Sequence, residues 1–153
     1  MMLYRPVPFL LVPGTLALVF GLALFMGVYL QGGSRMHSSI LGGLLAIIGY
    51  QMLLAGLHFE AFGVSYGFTH SGRIKRMMSY HSLEKELAIG MILLAAGVLL
   101  GLKVLLSWGA SGFGELDAAS SAMMAMILSI LGIQTIFSGM FISLLLLNNG
   151  QHD

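Results

Sequence analysis

The sequence predicts an all-α integral membrane protein of four helices, and three observations predict it. Hydrophobic residues make up 58% of the 153 residues and charged residues only 8%, with a mean hydropathy of +0.93. A soluble domain is about 45–50% apolar and about 25% charged, so this chain lacks the charge to clothe a soluble globule. Its apolar residues fall into four continuous runs, each near the roughly 20 residues that cross a hydrocarbon core. The runs do not alternate, which favours helices over barrel strands.

The first run spans about 9–30 and carries no charge. It is too long for the apolar core of a typical signal peptide and no A-x-A-like site follows it, so it reads as a retained helix. Pro6, Pro8 and Pro13 suit the start of a helix, where a missing N–H matters least. The second run spans about 40–62 and meets Glu60 at its end; the third spans about 87–108, with Lys103 near its end. The fourth, about 121–147, is uncharged throughout. The length allows one domain, 1–153, with a basic loop over about 63–86.

Lysine and arginine in short loops set orientation. Arg5, Arg73, Lys75, Arg76 and Lys85 fall on one side, and only Arg35 and Lys103 on the other. Both termini and the central loop are therefore expected in the cytoplasm of a multi-pass plasma-membrane protein. The stretches of about 31–39 and 109–120 are expected to face outward.

The two halves repeat. Gly49-Tyr50-Gln51 leads to Gly56, and Gly132-Ile133-Gln134 leads to Gly139. Gly14 and Gly21, like Gly90 and Gly97, are seven apart in the helices that precede them. The pattern predicts two tandem helix hairpins in parallel, related by an axis along the membrane normal. Gly42, Gly49, Gly56 and Gly63 form one stripe on helix two; Ala118, Ala125, Gly132 and Gly139 form a softer one on helix four. Small residues let helices approach closely in lipid. Close packing and a groove for a lipid chain are both consistent with these stripes.

Polar side chains within the spans are few. Gln51 and His58, seven apart, share a face; Gln134 and Ser138, four apart, share another. Either Gln51 and Gln134 pin helices two and four together, or this face is a polar seam for a substrate headgroup. His58 has no second histidine at matching depth and no metal-ligand spacing around it. No metal and no cofactor is expected. The chain has no cysteine, which excludes disulfides and thiolate chemistry. A net charge of +1 gives no nucleic-acid footprint.

The central loop mixes Arg73, Lys75 and Arg76 with Ile74, Met77 and Met78, which would share one helical face. It reads as an interfacial segment obeying the positive-inside rule, or as a cradle in which Arg73 and Arg76 converge on a phosphate. Ser82, followed by Glu84 and Glu86, is placed to cap helix three.

Several segments in order carry a family resemblance: Leu-Tyr-Arg-Pro-Val-Pro-Phe-Leu-Leu-Val-Pro-Gly (3–14), Gly49-Tyr50-Gln51, the basic loop before Ser82-Leu83-Glu84, Gly112-Phe113-Gly114-Glu115-Leu116, and Gly132-Ile133-Gln134-Thr135-Ile136-Phe137-Ser138. Together they resemble the C-terminal membrane domain of prokaryotic family-2 glycosyltransferases of the polyprenyl-phosphate, or dolichol-phosphate, sugar synthase kind. In that family a cytoplasmic nucleotide-sugar domain transfers a hexose to polyprenyl phosphate at the inner leaflet, and the membrane part anchors it. The family's Asp-x-Asp metal motif has no counterpart, since the only aspartates are Asp117 and Asp153. The chain reads as a separately encoded subunit, a split product or a truncated chain, without catalysis of its own.

The resemblance implies a non-catalytic module that accommodates polyprenyl phosphate through Arg73, Lys75 and Arg76 and partners a glycosyltransferase catalytic subunit among membrane lipids, with a homo-oligomer also open. Two other functions compete: a small flippase-like transporter of lipid-linked sugar, which needs a polar path, and a structural assembly subunit. An enzyme acting alone is the weakest reading, for no paired carboxylates, catalytic triad or phosphate loop is visible.

Overall fold

A computed structural model describes residues 6–31, 35–66, 83–111 and 119–149. They form α1 (Pro6–Leu30), α2 (Met36–Ser65), α3 (Leu83–Ala110) and α4 (Ala119–Asn149). All four are long and apolar enough to cross a membrane. The chain is thus an all-α, membrane-spanning four-helix bundle.

Each helix extends beyond its apolar run. At 25 to 31 residues and a rise of about 1.5 Å per residue, the helices outreach a hydrocarbon core of roughly 30 Å. Hydropathy marks the core alone, and the extra turns carry residues suited to headgroups. One such turn holds Glu84 and Glu86 at the start of α3, where the helix dipole favours acids. Ser82, the expected cap of that helix, lies outside the described residues. Inside α1, Pro13 withholds the hydrogen bond owed to the carbonyl of Phe9. Nearby, the Thr15 hydroxyl donates to the Leu11 carbonyl at 2.6 Å.

The helices associate as two close pairs, α1 with α2 and α3 with α4, and α2 packs on α4 to join them. The pairs close through glycine. A Cβ added at Gly49 would lie 2.7 Å from the Gly14 carbonyl oxygen, and one at Gly42 would lie 2.9 Å from that of Gly21. In the other pair, a Cβ at Gly132 would lie 2.8 Å from the Gly90 carbonyl oxygen, and one at Gly97 the same distance from that of Ala125. Backbones meet directly at these crossings, where only the absence of a side chain permits the contact.

These contacts also set direction. Gly14 meets Gly49 and Gly21 meets Gly42, so α1 and α2 run antiparallel. Gly90 meets Gly132 and Gly97 meets Ala125, so α3 and α4 do likewise. Gly43 faces Ile127 and Tyr50 faces Thr135, so α2 and α4 run parallel. At one end of the bundle, Gly56 of α2 touches Leu10 and Leu11 of α1, and Gly139 of α4 touches Glu86 of α3. At that same end the Ser65 hydroxyl donates to the Leu145 carbonyl at 3.3 Å. The beginnings of α1 and α3 and the ends of α2 and α4 thus gather together.

A hydrophobic cluster sits toward the opposite end, where Phe25, Ile47 and Ile127 are buried against Met123, Met124, Ile130 and Leu131, while Ala61, Ile142 and Leu145 are buried near the Ser65 end. Elsewhere large apolar side chains face outward, among them Phe9, Leu16 and Phe20 on α1 and Ile92, Leu99 and Leu106 on α3. In water such a belt would be an aggregation surface; in a bilayer it is solvated by lipid tails as apolar as itself.

Candidate functional site in the groove between α2 and α4

A groove of about 580 Å³ lies between α2 and α4. It falls within the range of ligand pockets, roughly 300–1,000 Å³. One wall carries Gln51, Leu54, Ala55 and His58, and the other carries Gln134, Phe137, Ser138 and Phe141. Within each set the spacing is i, i+3, i+4, i+7, one helical face. The two sets occupy matching positions of the two halves, each residue 83 positions from its counterpart. The groove therefore lies where one helical face of each half turns toward the other. Met140 and Leu144 extend its α4 wall.

All four polar residues expected within the membrane, Gln51, His58, Gln134 and Ser138, meet in this one groove. His58 Nε2 lies 2.9 Å from the Ser138 hydroxyl oxygen, and the His58 ring tilts against Phe141 with centroids 4.7 Å apart. Ser138 is buried. Sequence reasoning did not pair these two, since nothing in one helix's spacing fixes its depth against another.

A second hydrogen bond between the helices also escaped the sequence reading. Tyr50 OH lies 2.7 Å from Thr135 Oγ1, and Thr135 Oγ1 lies 2.7 Å from the Leu131 carbonyl oxygen. A threonine hydroxyl has one proton, and the carbonyl takes it, so Tyr50 is the donor to Thr135. Tyr50–Thr135, His58–Ser138 and Ser65–Leu145 fasten α2 to α4 along its length.

The glutamines are placed differently. Gln51 is exposed, and Gln134 Oε1 is buried with no hydrogen-bond partner. Tyr50 and Thr135 are bonded neighbours, so Gln51 and Gln134 lie at nearly the same depth. That depth is close to the middle of the helices, roughly 21 Å along α2 from Ser65 at about 1.5 Å per residue.

The glycine stripes point elsewhere. Gly42, Gly49 and Gly56 face α1, whereas Gly132 faces α3 and Gly139 lies against Glu86. They hold the pairs together and leave the groove to the opposite faces of α2 and α4. Arg73, Lys75 and Arg76, the expected phosphate contacts, lie outside the described residues. Among the described residues there is no cluster of His, Cys, Asp or Glu able to hold a metal ion.

Comparison with known proteins gives two findings. Residues 57–146 match the glycosyltransferase family 2 C-terminal transmembrane region. The chain is also 32% identical over 132 residues to a low-salt glycan biosynthesis hexosyltransferase of Haloferax volcanii, an alignment covering 81% of this chain and 30% of that protein. The chain thus spans under a third of that relative's length. No solved structure matches at a significant level.

Proposed function

The chain belongs to the C-terminal transmembrane region of family-2 glycosyltransferases, and from that premise we propose that it holds polyprenyl phosphate at the inner leaflet for a cytoplasmic hexose-transferring domain. The family matched is a transmembrane region, so the chain is a membrane module and sugar transfer belongs to a domain outside these residues. The hexose is suggested by the hexosyltransferase that the chain resembles over its membrane part.

The observation that carries this reading is the gathering of helix ends. The start of α1, the end of α2, the start of α3 and the end of α4 lie together. Arg5, Arg73, Lys75, Arg76 and Lys85 are all attached in sequence to that end, whereas Arg35 and Lys103 belong to the other. Positive charge faces the cytoplasm. Two tandem hairpins put both termini and the loop between α2 and α3 on one side, and the charge bias makes that side the inside. The basic loop sits at the inner surface, where a lipid phosphate sits. In this reading Arg73 and Arg76, three apart in sequence, supply charge-assisted bonds to the phosphate, and Lys75 adds charge.

The translocator alternative draws on the polar groove, but that groove does not continue across the bundle. Beyond Gln51 the interface between α2 and α4 passes into the apolar contact of Ile47 with Ile127. A sugar headgroup would meet a closed core there.

The test is lipid-dependent transfer with the catalytic domain supplied. Changing Arg73, Lys75 and Arg76 together to Glu is expected to lower hexose transfer to polyprenyl phosphate roughly tenfold or more, since charge-assisted bonds are lost. The helices should remain intact by circular dichroism. Unchanged transfer would overturn the reading.

A further inference from the structure

The groove carries a demand that an isoprenoid chain does not meet. Gln51 is exposed and lines the groove together with Gln134 at the same depth. At mid-bilayer no water is at hand to satisfy either, and polar groups left there are costly. A lipid tail offers no N–H or O–H, and a phosphate belongs at the headgroups, far above this level.

The rim of the groove is equally particular. Phe137, Met140, Phe141 and Leu144 stand exposed along α4 at i, i+3, i+4 and i+7, a ridge of the kind that packs into a neighbouring helical groove. Ridge and groove lie side by side on one face. A second copy turned about an axis along the membrane normal would lay its ridge in this groove and receive this ridge in its own. Such a rotation preserves depth, so Gln51 of each copy would stand level with Gln134 of the other. This is the self-complementarity that a two-fold interface needs.

We infer that the groove between α2 and α4 is the seam at which two copies of this chain associate, with Gln51 of each copy hydrogen-bonded to Gln134 of the other. Gln134 lines the groove with its oxygen turned inward, so its amide nitrogen is the group that donates to the Gln51 oxygen of the other copy. The two-fold relation forms this bond twice, once at each Gln51–Gln134 pair. The inference is independent of the phosphate site, and it leaves both basic ends on the same side of the membrane.

The chain's lack of cysteine makes the test direct. Single-cysteine variants Phe137→Cys and Leu144→Cys, reconstituted in phosphatidylcholine vesicles, are expected to form disulfide-linked dimers on mild oxidation. Leu16→Cys, on the exposed face of α1, is the control and should not. Energy transfer between labelled copies, followed as lipid dilutes protein, is expected to show association that Gln51→Leu and Gln134→Leu each weaken roughly three- to tenfold. Circular dichroism of the same variants separates lost association from lost folding. Groove cysteines that cross-link no better than Leu16→Cys would overturn the inference. So would glutamine variants that associate as the parent does, or a lipid retained in the groove of a monomer.

Discussion

At the residue scale, what matters most is where a single carbon fits. A Cβ at Gly49 would meet the backbone nitrogen of Leu18 and lie 2.7 Å from the Gly14 carbonyl oxygen. Backbone cannot swing aside as a side chain can. Gly49→Ala is therefore expected to destabilise the protein by about 1–3 kcal/mol, the range for overpacking, measured by unfolding in detergent. Gly27 is also helical, but an added Cβ there meets nothing within 4 Å. Gly27→Ala should leave stability unchanged or raise it slightly; equal losses at both positions would contradict the packing account. The Tyr50–Thr135 bond permits a finer measurement. A double-mutant cycle of Tyr50→Phe with Thr135→Val is expected to give a coupling of about 0.6 kcal/mol, and at most about 1.7.

At the element scale, the close contacts run within α1–α2 and within α3–α4, and the two pairs meet through α2 and α4. Replacing Gly49 with a bulkier residue should loosen α1 from α2 and leave α3–α4 in place. In the Gly49→Val variant, a reporter cysteine at Leu18 is expected to gain reactivity with a lipid-soluble thiol reagent. A cysteine at Leu94, beside Gly132, should not. Much of this arrangement was legible in the sequence. Four continuous apolar runs gave the helices, and glycines seven apart marked the faces that pack. Helix ends were not legible, since the turns beyond the hydrocarbon core, such as Met36–Ser39 on α2, carry no apolar signal. The polar groove was half legible. Gln51, His58, Gln134 and Ser138 stood out as polar residues in apolar runs. The partner of each depends on the register of α2 against α4, however, and no spacing within one helix encodes it. Tyr50 and Thr135 went unpaired for the same reason.

At the scale of the whole molecule, the account is one of asymmetry between the ends of the bundle. At one end the beginnings of α1 and α3 meet the ends of α2 and α4, and five of the seven basic residues belong in sequence to the segments joined to that end. Toward the other lies the apolar cluster of Phe25, Ile47 and Ile127. Orientation can be read from single cysteines in intact cells with a membrane-impermeant thiol reagent. Ser111→Cys is expected to label from outside, and Ser71→Cys only after the membrane is opened; the reverse pattern would invert the topology. The proposed function requires the basic end inside, where a lipid phosphate and a cytoplasmic transferase would meet.

The most direct test of that central claim is purification of the tagged chain from its native membrane in mild detergent, with mass spectrometry of the proteins and lipids it retains. The account predicts a family-2 glycosyltransferase catalytic domain together with polyprenyl phosphate, and loss of the lipid when Arg73, Lys75 and Arg76 are changed to Glu. Recovery of lipid-linked sugar with no such domain, or lipid recovery indifferent to those three charges, would contradict it.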